Sequence, residues 1–187
     1  MEQQAILNGV DVDQLGKTVL AIQADPALAK AQFRTTTEWI SGAHGQTCVL
    51  GPRMGGQEDV SRSTPFILES DEPPVLLGTN LGANAVEMVL AGLASCLTVG
   101  IAYNAAARGI HLEQLRVEIT GDIDLQGFLG ISESVRPGYQ DICVRCHLKS
   151  PASESEILQL LEHVKKTSPV LDIVRHPTPV DVLFQRL

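Results

Sequence analysis

The chemistry of this chain starts from its cysteines. Cys96 lies near the middle of an apolar run, Asn84 to Arg108, with Gly92 four residues before it and Gly100 four residues after. On a helix those three positions share one stripe, a turn apart. The glycines would open space beside the sulfur for another helix, a substrate, or both. A thiol so placed reads either as a small core residue or as a nucleophile. Cys143-Val-Arg-Cys-His147 is a louder pattern, with the spacing of c-type haem attachment. It falls inside an alternating segment, however, where an odd separation sends Cys143 and Cys146 to opposite faces. Thiols on opposite faces cannot chelate one metal, close a local disulfide or bind one haem. No second pair stands at zinc-ligand spacing, so no metal or cofactor is expected. The histidines, at 44, 111, 147, 163 and 176, form no His-x-x-x-His pair. Nucleophile-elbow, phosphate-loop and dinucleotide fingerprints do not occur. Asp122 and Asp124 share a face but end a strand, which reads as solvated carboxylates.

The elements that must hold Cys96 follow from periodicity. Residues 9–31 carry a helical pattern with Asp13 as N-cap, broken at Asp25-Pro26 and followed by a short helix at Ala27–Ala31. From Phe33 the texture is β: Phe33–Ile40, a turn at Ser41–Gly45, Thr47–Leu50, a loop at Gly51–Asp59, and Thr64–Glu69. The central helix follows, with Asn84 and Glu87 as a capping box and Gly109 as its stop. Its apolar residues run nearly all round, which predicts burial on most sides. Leu115–Asp124 and Tyr139–Lys149 alternate as half-buried antiparallel strands on either side of a long loop. Ser153 and Glu156 cap a second helix whose apolar face is Ile157, Leu158, Leu160, Leu161 and Val164. Ser168-Pro169 starts a third, with serine as N-cap and proline at N1. Val180, Val182 and Phe184 predict a closing strand. Strands in blocks and not in βαβ alternation predict an α+β fold with a mostly antiparallel sheet around the long helix. One domain spans 33–187, behind an N-terminal helical extension, 1–32.

Composition narrows the function. The net charge of -8 argues against nucleic acid and anionic membranes as partners. The start of the chain has no basic region followed by an apolar core, so no signal peptide is read there. Glu87, Ser95, Thr98 and Asn104 interrupt the central run, which weighs against a membrane span. A cytoplasmic protein with its four cysteines reduced is expected.

Two stretches add a resemblance. Gly82-Ala-Asn-Ala-Val-Glu-Met-Val-Leu-Ala-Gly-Leu-Ala-Ser-Cys96 is similar to a G-x-x-P-x-E-x-[LV]-[LA]-A-x-[AG]-x-C pattern, and Lys165-Lys-Thr-Ser-Pro-Val170 is similar to a later helix start. From about Phe33 to Phe184 the chain thereby resembles the OsmC/Ohr family, whose best-known members reduce organic hydroperoxides with a cysteine thiolate. The resemblance implies an intertwined homodimer with two long helices packed at its centre. It gives Cys96 the place of the peroxidatic cysteine, which attacks the O–O bond to yield sulfenic acid and an alcohol. In the family a second cysteine then condenses with the sulfenate and an external dithiol reduces the disulfide. Here Ser168 occupies that resolving position, and Ala85 replaces the usual proline. The family glutamate is approximated by Glu87, nine residues before Cys96 and therefore on the opposite face of a regular helix. The family arginine is not assigned: Arg34 and Arg53 both lie in strands or loops, and neither falls in a match to the family pattern.

Three readings follow. The first is a thiol peroxidase with one catalytic cysteine, resolved by an external thiol or by Cys48, acting on a small hydrophobic peroxide. The second is a non-catalytic dimer binding a small hydrophobic ligand at an interface pocket. The third is the haem or metal protein suggested by Cys143–His147.

Overall fold

A computed structural model describes residues 6–186. The first five residues of the expected extension, and Leu187, lie outside the described residues. The chain forms two compact units: Ile6 with Asp11–Val89, and Leu7–Val10 with the chain from Leu90 onward.

In the first unit, helix α1 (Val12–Ala24) is capped by Asp11, whose side chain accepts from the Gln14 N–H at 2.8 Å. Asp13, expected as the cap, instead sits in the first turn. The periodicity cannot separate two aspartates a residue either side of the helix start. Strands β1 (Thr35–Ser41), β2 (His44–Val49) and β3 (Phe66–Ser70) form an antiparallel sheet with β2 in the centre. The predicted loop at 51–59 folds back on itself as a small hairpin, Arg53–Met54 against Gln57–Glu58. Its turn is Gly55-Gly56, both with positive φ, the conformation a two-residue hairpin turn demands.

The approach to the central helix is tied by Asp71, which is 3% exposed. Its carboxylate accepts from the Thr79 hydroxyl at 2.7 Å and from the N–H groups of Glu72, Thr79 and Leu81. The Thr79 hydroxyl, with the three amides, holds this carboxyl well below the usual aspartate range. A depressed value stabilises the fold above the unfolded-state pKa, and that contribution is lost as pH falls through the folded one. Asp71→Asn is therefore expected to lower the thermal midpoint at neutral pH, with the gap to wild type closing in strongly acid solution. A gap that stays constant through an acid pH series would show that Asp71 is not held as an anion.

Helix α2 (Ala85–Ala107) begins in the first unit and continues through the second. Asn84 Oδ1 accepts from the Glu87 N–H, and Glu87 Oε2 accepts from the Asn84 N–H, both at 2.9 Å. At the other end Gly109 has φ +71, and the N–H groups of Gly109 and Ile110 reach the Ala106 and Ala105 carbonyls. That is a Schellman stop. Asn8, on the N-terminal segment, brackets the following turn: its amide donates to the Ile110 carbonyl and its oxygen accepts from the Leu112 N–H.

Strands β4 (Gln114–Asp122) and β5 (Asp141–Lys149) pair antiparallel, with Val117 opposite Cys146 and Ile119 opposite Val144. Helix α3 (Glu154–Thr167) has the predicted capping box, and α4 (Pro169–Arg175) starts at Ser168. The core of this unit joins Leu93, Leu97, Ile101 and Ala105 of α2 to Leu160 and Val164 of α3, with the inward residues of β4 and β5 packed against them.

Three further expectations change. Leu158 is not on the buried face of α3; it is exposed, because the core touches only the Ile157–Leu160–Leu161–Val164 side. Val180, Val182 and Phe184 form no strand and are exposed, since alternation supplies propensity but a strand needs a ladder partner. And α2 is covered along one stripe only, with Val99 and Tyr103 about half exposed. An all-round apolar composition does not say whether the same chain provides the cover. By length and composition alone α2 could cross a membrane, with a mean hydropathy of 1.9 over its most apolar stretch.

Candidate active site

Cys96 stands at the margin of the buried stripe of α2, half-buried beside Leu93 and Leu97. The two glycines flanking it do different work. At Gly92 nothing lies within 4 Å of where a Cβ would stand, so the helix surface one turn before Cys96 is open. At Gly100 an added Cβ would meet Val164 Cγ1 at 3.1 Å. Gly100 thus lets α3 approach α2 closely, and Val164, one turn before the end of α3, fills the space. The same approach sets the residue that follows α3. Ser168 donates its N–H to the Val164 carbonyl at 2.9 Å and places its Oγ 3.2 Å from Cys96 Sγ.

The polar side chains of α2 that flank this region serve the helix itself. Thr98 donates to the Ala94 carbonyl and Asn104 to the Gly100 carbonyl, each at 2.8 Å. Such back-bonding to the preceding turn explains how they sit in an apolar helix.

The structure brings Cys96 and Ser168 together across 72 residues of sequence. It places Glu87 in the first turn of α2, exposed, with its carboxylate on the Asn84 N–H. Arg34 and Arg53 both bind Glu58: Arg34 Nη2 at 2.5 Å, and Arg53 through Nε. Arg34 Nη2 also donates to the Gly51 carbonyl at 2.9 Å. These hydrogen bonds, that from Arg34 foremost, hold the Glu58 carboxyl below its usual range. Both arginines are thus committed within the first unit.

The remaining thiols lie elsewhere. Cys48 is in β2, paired with Thr36 and Ile67 of its neighbours. Cys143 and Cys146 stand in β5, opposite Thr120 and Val117 respectively, and the strand pleat turns them to opposite faces. Cys146 packs on the core, and burial pushes its thiol up, away from ionisation. That disfavours the thiolate at Cys146.

A family model for OsmC-like protein matches residues 78–183, more than half of the chain and the whole of α2 through α4. The chain belongs to that family. None of the curated proteins matches the OsmC-like chain in sequence. Among solved structures, an OsmC-like protein from Mycoplasma pneumoniae matches with a TM-score of 0.60 at 19% identity, over 78% of this chain and 89% of that one. The organic hydroperoxide resistance protein OsmC from Legionella pneumophila matches with a TM-score of 0.55 at 15% identity, over 77% and 89%. An organic hydroperoxide resistance protein from Elizabethkingia anophelis matches with a TM-score of 0.52 at 18% identity, over 78% and 89%. At these identities the likeness is one of fold, the α+β OsmC-like fold with antiparallel strands around a long helix.

Proposed function

We propose that this OsmC-like protein is a thiol-dependent peroxidase that reduces organic hydroperoxides through Cys96 alone. The observation that carries the reading is the half-buried Cys96 sulfur in hydrogen-bond contact with Ser168, with open space on the helix at Gly92 one turn before it. Two of its fold neighbours are organic hydroperoxide resistance proteins.

The thiolate sulfur attacks the terminal peroxide oxygen, the O–O bond breaks, and the departing alkoxide takes a proton to leave as the alcohol. Cys96 is then a sulfenic acid. Ser168 has no sulfur to offer, so reduction falls to an external dithiol in the cytoplasm. One thiol of the dithiol displaces the sulfenic oxygen as water, giving a mixed disulfide. Its second thiol then releases Cys96 and leaves as a cyclic disulfide. The apolar residues around the sulfur favour a small hydrophobic peroxide. The exposed apolar residues Val99 and Tyr103 of α2 support a homodimer in which a second copy covers them, and sedimentation at monomer mass would count against that.

The test treats reduced protein with cumene hydroperoxide and follows intact mass with peptide mapping. One added oxygen on Cys96 is expected, together with hydroperoxide consumption that needs dithiothreitol and falls to background in Cys96→Ala. No oxygen on Cys96, with unchanged consumption in Cys96→Ala, would sink the peroxidase and leave a dimer that binds a small hydrophobic ligand.

A further inference from the structure

Ser168 is 5% exposed, and its Oγ has two partners. It accepts from the Leu171 N–H at 3.3 Å, as the N-cap of α4, and it faces Cys96 Sγ at 3.2 Å. A serine hydroxyl has one proton to give and two lone pairs to offer. An amide N–H can only donate, so Leu171 takes a lone pair and leaves the proton for the sulfur. A thiol could give or receive in this contact, but a thiolate can only receive.

We propose that Ser168 is a positioning residue of the Cys96 site, donating its hydroxyl proton to the reacting sulfur. The reaction it serves rests on the peroxidase reading; the contact rests on geometry. A hydrogen bond to an ionised partner is stronger than one between neutral groups. The donation therefore strengthens when the sulfur is in its attacking form, and it fixes the direction in which the remaining lone pairs point. Gly100 is part of the same device, since the close approach of Val164 it permits is what brings Ser168 within reach. Once Cys96 is oxidised, the hydroxyl can hydrogen-bond the sulfenic acid but cannot form a disulfide with it. The oxidised sulfur is left for an external thiol.

Capping and donation are separable by substitution. Threonine keeps the cap and the hydroxyl. Glycine is tolerated at an N-cap almost as well as serine but has no hydroxyl, and aspartate caps well but, ionised, has no proton to give. The readout is the rate at which iodoacetamide alkylates Cys96 at one fixed neutral pH, followed by mass, with thermal midpoints recorded for each variant. Ser168→Thr is expected within about twofold of wild type, and Ser168→Gly and Ser168→Asp roughly tenfold slower, the size of effect that follows from losing a hydrogen bond to a charged group. Ser168→Gly alkylated as fast as wild type would overturn the proposal, and it needs no buried charge to fold. Alkylation involves no hydroperoxide, so the two ideas fail separately. A wild type that ignores cumene hydroperoxide while alkylation still follows this order would overturn only the peroxidase reading.

Discussion

Leu160→Ala is expected to destabilise the second unit by about 2–5 kcal/mol, the usual cost of emptying a leucine-sized space in a core that cannot collapse. Leu160 is fully buried in the cluster that contains Leu93, Leu97, Ile101 and Val164. Every one of those side chains stands on a helix whose path is fixed at its ends. Helix α2 is fixed by its capping box and the Gly109 stop, and α3 by the Ser153–Glu156 box. Relaxation into the cavity would have to move a whole helix, so the loss belongs in the upper part of the range. Folded domains are stable by only about 5–15 kcal/mol, which makes this a large share of the total. Leu158→Ala, two residues away but more than half exposed, is the control and should stay within about 0.5 kcal/mol of wild type. Urea denaturation midpoints compare the two. Equal losses would show that the face of α3 assigned to the core is wrong. Because α3 also carries Ser168 toward Cys96, the same variant should loosen the site as well as the fold.

What the sequence showed plainly was local. Alternation placed Val117, Ile119, Val144 and Cys146 on the inner face of β4 and β5, because the side-chain period of a strand is fixed at two. Caps at Asn84, Ser153 and Ser168 were readable because each is a short-range exchange between a polar side chain and an unpaired amide. What stayed hidden was whatever depends on a distant partner. Nothing in Val180–Phe184 says whether a neighbouring strand exists to pair with it. Gly92 and Gly100 look alike in sequence, yet one faces open space and the other faces Val164. The Cys96–Ser168 contact was suggested by resemblance and by nothing in the spacing of the two residues. Its physical cause, a close helix crossing at Gly100, is tertiary. The Gly55-Gly56 hairpin was legible in principle, since paired glycines flanked by short polar strands are a turn signal.

Ser168→Cys should change what oxidation of Cys96 produces. The serine oxygen already stands 3.2 Å from the sulfur. A carbon–sulfur bond is longer than a carbon–oxygen bond, so a sulfur at this position reaches further toward Cys96, and a disulfide needs about 2.05 Å between the two. After one equivalent of cumene hydroperoxide the sulfenic acid at Cys96 would condense with the new thiol, expelling water. The product is two hydrogens lighter than the reduced protein, where wild type is one oxygen heavier, and dithiothreitol restores the starting mass. Diamide, which oxidises paired thiols without a peroxide, should give the same product in the variant and none in wild type. Closing a loop over a separation of 72 residues removes freedom from the unfolded chain worth roughly 4 kcal/mol in the chain-entropy account, against about 1 kcal/mol lost with the serine cap. The oxidised variant should therefore melt well above its own reduced form. If both thiols remain open to alkylation after diamide, the two side chains do not meet as the structure has them. If the disulfide forms, Ser168 and Cys96 meet as the structure has them, and a single oxygen-for-sulfur exchange is enough to join the two positions covalently.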